Sequence, residues 1–442
     1  MRSSSKGATN LKLYAFALLA AVAAAGCGSG SKPVLVVPDP SLPTGLPTPA
    51  TPGPVNTYSG EQSPGAWTFT LDNTKDTFSY QPITYPASPN QPVTGSLQPA
   101  AGFSRLSSGG LALEVLGQAT VLRPGDSATA PVFGVPQTEC YAITGKLRFE
   151  YIDQFPGGFV FQFSNGAPPT LGYGSIVAST DTTGSNWQFE NMQGNMVVGP
   201  ASFAAKCAGA NSQSSISFSG SSVLNDLWAP DPATVFDTTP TTKSNIWIGP
   251  SGFFAADQSD PTQTLPTGSS VAGVAEPSSP LSTSAVAAGQ YLGFLYEAPV
   301  SASTNNPAAA TLTAPVAFGQ VASSGTTMMG GIFPNDDVTG TPNSDIEINL
   351  GSQSGTINGL YTSVSITVLD PAQNCANFAG SSNTTFKVPV TIGVNADGYI
   401  TCTFPGVAVV GNPEGNYAIF VNTYNWAANL GGVPMQIYLF QP

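Results

Sequence analysis

The chain has no histidine in its 442 residues. It therefore cannot build a Ser-His-Asp or Cys-His arrangement, a His-ligated metal centre or an imidazole acid–base. The "GPSGF" stretch at Gly249 to Phe253 ends in Phe and lacks a base, so it is no nucleophile elbow. Charge is also scarce. Asp, Glu, Lys and Arg make up 8% of the chain, against about a quarter in ordinary domains. Only 12 residues are Lys or Arg, against 25 Asp or Glu, which excludes nucleic acid as a partner because phosphate neutralisation needs clustered cations. Cysteine numbers five and never falls in a Cys-x-x-Cys spacing, which argues against a zinc site, and no cofactor is expected. Long amphipathic helices are missing as well: after Val55, Gly or Pro interrupts every run of apolar residues at helical spacing.

The chain opens with a basic start (Arg2, Lys6, Lys12) and an uncharged apolar run from Leu13 to Ala25. That run is the length of a secretory h-region and short for a membrane span. Ala24-Ala25-Gly26-Cys27 follows, with small residues before a cysteine. This resembles the lipobox of bacterial lipoproteins, although Ala24 stands where leucine is usual. The resemblance implies that residues 1–26 are a lipoprotein signal peptide and that Cys27 carries the lipid, which makes the membrane a partner through the N-terminus. Gly28, in place of Asp, points to the outer membrane or cell surface. The competing reading is an ordinary signal cut after Ala-x-Ala. Residues 27–55 then read as a tether, since eight prolines fall between Pro33 and Val55. Such a segment reaches roughly 70 Å when extended. Beyond residue 26, nine Lys and Arg face all 25 Asp and Glu, a net charge near −16 that repels anionic headgroups and leaves the lipid as the membrane contact.

The body is not disordered, because 41% of the chain is hydrophobic. Gly and Pro number 48 and 40, which suits short strands and tight turns. Period-two alternation recurs in "AWTFTLDN", "KLRFEY", "DIEINL", "SVSITV" and "VPVTIGV". "NADG" at Asn395 to Gly398 marks a hairpin. The predicted class is all-β, with two antiparallel β-barrel or β-sandwich domains wetted on one sheet face. The weak strand pattern of "APDPATVFDTTPTTKSN" sets the expected boundary, giving domains 56–243 and 244–442. "GLALEVLGQATVLRPGD" from Gly110 and "GYITCTFPGVAVVGNPEG" from Gly398 echo each other and raise the question of a duplication.

With Cys27 assigned to lipid, four cysteines remain, and these allow three pairings. Pairing within each half, Cys140–Cys207 and Cys375–Cys402, closes moderate loops and is the expected arrangement. Cys402 shares a strand face with Ile400 and Phe404 and should point into a core.

Carboxylates remain as acid–base groups. Asp336 and Asp337 in "IFPNDDVTG", with Asp345 and Glu347 nearby, suit an acid/base pair or a calcium site, or else a solvated turn. Glu150 and Asp153 read as an exposed strand end. The tryptophans Trp67, Trp187, Trp228, Trp247 and Trp426 offer either a sugar-stacking platform or core packing. No catalytic residue is assigned. "YSGEQSPGAWTFTLD", "GPSGFFAADQSD", "GQYLGFLYE", "CTFPGVAVVGNPEGNYAIF" and "IYLFQ" together resemble a family of large secreted, Gly- and Ser-rich bacterial lipoproteins of uncharacterised activity. The resemblance implies location and β-architecture and carries no catalytic residues. The expected function is a non-enzymatic cell-envelope lipoprotein with a structural or ligand-binding role, its protein or glycan ligand unknown. The alternative is a carboxylate-dependent polysaccharide hydrolase.

Overall fold

The computed structural model describes residues 45–47, 53–61, 66–83, 91–115, 117–154, 171–194, 201–207, 215–217, 245–257, 270–297, 312–321, 325–369, 390–424 and 434–442. The signal, Cys27, most of the tether, Trp228, Lys243, Cys375 and Trp426 lie outside them.

Three antiparallel sheets follow one another along the chain. The first holds β1 (Val55–Glu61), β2 (Ala66–Asp72), β3 (Thr77–Ile83), β4 (Val93–Ala100), β5 (Phe103–Leu106), β6 (Leu111–Val115), β7 (Ala119–Arg123) and β8 (Val132–Pro136). Each strand pairs with the next, and β1 pairs with β8, so the sheet closes into an up-and-down barrel. The second barrel repeats the scheme with β9 (Leu147–Gln154), β10 (Gly172–Thr180), β11 (Asn186–Gly194), β12 (Ala201–Cys207), β13 (Ser215–Ser217), β14 (Asn245–Ile248), β15 (Phe253–Asp257) and β16 (Ser270–Ala275). Pairing of β16 with β9 closes it.

The third sheet holds β17 (Tyr291–Glu297), β18 (Leu312–Gln320), β19 (Thr327–Ile332), β20 (Ile346–Asn349), β21 (Leu360–Leu369), β22 (Thr391–Val394), β23 (Ile400–Gly411), β24 (Ala418–Tyr424) and β25 (Pro434–Phe440). Pairing of β21 with β23 and of β17 with β25 carries eight of these nine strands round a ring. β22 is the ninth and pairs beside β23.

The ladders joining first and last strands are tight. A Cβ at Gly60 would lie 1.9 Å from the Phe133 carbonyl oxygen, and one at Gly293 would lie 1.8 Å from that of Tyr438. Only glycine allows the backbones to approach so closely.

Eight strands leave an interior that side chains just fill. Tyr58, Phe69, Phe78 and Leu122 plug the first barrel, and Phe149, Trp187, Phe189 and Phe254 plug the second. The largest cluster joins the third sheet's own core, with Ile348, Ile366 and Phe404, to rings that meet between the barrels. Phe133 faces out of the first, Phe253 out of the second, and Phe420, Tyr438 and Phe440 out of the third. Their ring centroids stand 5.2 to 6.3 Å apart, from the Phe133–Phe420 pair to the Phe133–Phe440 and Phe253–Phe420 pairs. Each such aromatic pair adds about 0.5–1.5 kcal/mol beyond its buried area.

One sequence expectation changes here, and one open question narrows. The sheets do not divide near Lys243, because β13 and β14 on either side of it pair with each other. A long excursion between adjacent barrel strands has the composition of a linker. The two echoing segments also take different forms: one is the β6–β7 hairpin, the other the single strand β23.

Candidate functional site

Of the carboxylates singled out in the sequence, Asp336 and Glu150 lie in the seams between sheets. After β19 the chain makes a short 3-10 turn, Pro334–Asp336, with Asn335 and Asp336 at φ of 55° and 58°. Asn and Asp tolerate this left-handed backbone better than other side chains. The turn aims Asp336 at the first barrel, where Arg123 at the end of β7 is 1% exposed. Arg123 donates from Nη1 and Nη2 to the two Asp336 oxygens at 3.0 and 2.8 Å. It also donates to the carbonyls of Thr313, at 2.8 Å, and Gly125, at 3.1 Å. A second turn, Pro413–Gly415, puts Glu414 at φ 52°. There Glu414 accepts a 2.7 Å hydrogen bond from Gln118, just ahead of β7. The two turns therefore grip β7 at both ends.

Asp337 stays exposed. Its Oδ1 accepts from the Thr339 hydroxyl at 2.6 Å, and this bond holds its carboxyl below the usual carboxylate range. Arg105 reaches it at 3.4 Å, a surface pair worth little. Asp345 packs against Gly331, and burial pushes its carboxyl up. Among the described residues no three Asp, Glu or Cys side chains are grouped to hold a metal. Asp336 is thus a clasp rather than a solvated turn residue, a role invisible in sequence because Arg123 lies 213 residues away.

Glu150 is a further correction. Its face of β9 reads as exposed, yet the side chain is 1% exposed. Its ladder neighbour Val274 packs on Gly411 of β23, so the third barrel covers this face. Asp153 continues the same strand. Trp187 and Trp247 are buried and Trp67 half-buried beside Tyr80, so the described tryptophans pack rather than form a platform.

Cys140 and Cys207 are bonded, with Cα atoms 5.9 Å apart and a sequence separation of 67. A loop of that length is worth about 4 kcal/mol in the chain-entropy estimate. Cys402 is buried beside Phe404, as its strand position implied, and its sulfur is disulfide-bonded. Cys375, its expected partner, lies outside the described residues.

Sequence reasoning missed the groove across β17, β18 and β19. It has a volume of about 560 Å³ and runs past Gln290, Leu292, Gly319, Met329, Asn343 and Ser344. Gly319 leaves its floor bare: a Cβ there would meet the Gln290 amide at 2.7 Å. Met329 is 40% exposed. Among the described residues no Asp, Glu, Lys or Arg side chain lines it; the lining side chains offer amide, hydroxyl and apolar surface, with Pro442 at its border. A neutral ligand suits such a lining.

No family model matches the chain, and no curated protein matches it. Among solved structures, it is similar to two mutant forms of the vaccine antigen transferrin binding protein B from Haemophilus parasuis Hp5. Each is 10% identical with a TM-score of 0.27, over 90% of this chain and 77% or 78% of the other. A protein of unknown function from the DUF3598 family of Nostoc punctiforme is 8% identical with a TM-score of 0.21, over 67% of this chain and 95% of that one. Likeness of this degree carries no inference about ligand or partner.

Proposed function

We propose that the chain is a cell-envelope lipoprotein, anchored through Cys27 at the outer membrane or cell surface, that binds a neutral ligand without catalysing its conversion. The groove on β17–β19, whose described side chains carry no formal charge, is the observation that carries the reading. The engagement of Asp336 by Arg123 supports binding over the polysaccharide hydrolase, which needs two carboxyl groups facing a cleft roughly 5 to 9.5 Å apart. The Pro-rich tether holds the barrels off the lipid, and the Cys375–Cys402 bridge closes the third barrel's long insertion.

Detergent-solubilised full-length protein, tested on a panel of neutral polysaccharides, should bind at least one of them. Asn343→Ala or Gln290→Ala should weaken that binding about tenfold, the cost of a lost hydrogen bond. Turnover of a polysaccharide that one Asp or Glu substitution abolishes would establish the hydrolase instead. Intact-mass analysis of membrane-extracted protein should find an acylated Cys27 at the N-terminus, and Cys27→Ser should release or stall the chain.

A further inference from the structure

Glu150 stands mid-strand on the outer face of β9, flanked in register by Ser175 of β10 and Val274 of β16. Neither of its carboxyl oxygens has a hydrogen-bond partner. The one nearby cation is already committed. Arg148 lies 3.3 Å from Glu276 through Nε and donates to Ser175 at 3.2 Å. Glu276 in turn accepts from the Asn358 backbone N–H of the third barrel at 2.9 Å. The elements packed here bring little else that titrates. β10 holds Tyr173, β24 holds Tyr424, β23 holds only the disulfide-bonded Cys402, and β16 holds none.

An ionised Glu150 would lose its water, face Glu276, and gain only a share of Arg148. Burial first and Glu276 second hold its carboxyl well above the ordinary glutamate range, with Arg148 pulling the other way. A buried charge so poorly compensated is tolerated only in its neutral form. Among the described residues no ladder joins the second barrel to the third. The seam is crossed by individual hydrogen bonds, from Asn422 Nδ2 to the Gly172 carbonyl at 3.0 Å and from the Asn358 side chain to the Pro277 carbonyl at 2.9 Å, beside the Asn358 bond to Glu276.

We propose that the seam between the second and third barrels is a proton-held joint, closed while Glu150 is protonated and parted when that proton passes to solvent base. Each barrel's ladder closes on itself, so β9 and β16 separate from β23 and β24 with both barrels intact. The joint is independent of the ligand groove.

The test is thiol labelling of full-length Val274→Cys, whose side chain is buried against Gly411, with rates corrected for thiolate fraction against a free peptide thiol. From about pH 5 upward, corrected labelling should rise about tenfold per pH unit and then level off, because the open form binds one proton fewer. In the Glu150→Gln background it should be flat. Val135→Cys, on the outer face of the first barrel, should be flat in both. If Val274→Cys fails to fold, Ala272→Cys, two residues along the same face, carries the measurement. Labelling at this face that ignores pH, or that rises equally with Gln at position 150, would overturn the proposal.

Discussion

The third barrel meets its two neighbours by different means. Toward the first barrel, every buried charge is answered: Arg123 spends four donor contacts on Asp336 and two carbonyls, and Glu414 takes the Gln118 amide. Toward the second, the buried Glu150 receives no hydrogen bond at all. Both seams bury apolar surface, and one aromatic cluster spans them. The difference lies in polar bookkeeping, and it teaches that one seam is a clasp and the other a joint.

The largest perturbation removes what both seams share. Phe133→Ala should cost about 3–5 kcal/mol in urea unfolding and split one transition into two or more, because Phe133 touches rings from both other barrels. A single transition at the parent midpoint would show that Phe133 does not couple the barrels. Next comes the clasp. Arg123→Leu should cost about 3 kcal/mol by leaving Asp336 without its cation, and Asp336→Asn in that background should recover part of the loss. If the double variant is no better than the single, the pair is not the source of the stability.

The joint should respond with opposite sign. Above the ordinary glutamate value near 4.3, the unfolded chain gives up the Glu150 proton while the folded chain keeps it. The folded state then binds more protons, so native stability falls as pH rises, until pH passes the folded-state value. Glu150→Gln should match the parent at pH 4.5 and be more stable by about 1–3 kcal/mol at pH 8 in paired urea titrations. The smallest effect belongs to Gln118→Ala, which should cost about 1–2 kcal/mol with no pH dependence between 6 and 8.

Strands were legible in the sequence because alternation is local. "AWTFTLD" is β2, "IEIN" is β20, and "NADG" is the turn between β22 and β23. Cys402 facing inward with Phe404 followed from the same parity. The seams were not legible, since they depend on what covers the outer face. Arg148 and Glu150 alternate with Leu147, Phe149 and Tyr151 as any solvated edge would, and only β23 and β24 packing against β9 buries the glutamate. Phe133 in "VFGV" reads as part of a doubly apolar run whose second face has no assignable neighbour. The Arg123–Asp336 clasp and the groove on β17–β19 assemble from segments with no shared motif, so spacing could not reveal them.

A strand whose second edge is open offers a row of backbone donors and acceptors to any copy that drifts alongside. Crowding proteins together in one plane raises that risk, because each meets its neighbours in the same orientation. Here three closed rings leave almost nothing to copy. Among the described residues, only β22, four residues long, pairs on a single side. The fold thus protects against strand-by-strand polymerisation by geometry, with no need for the lysines that guard open sheets elsewhere and that this chain so nearly lacks.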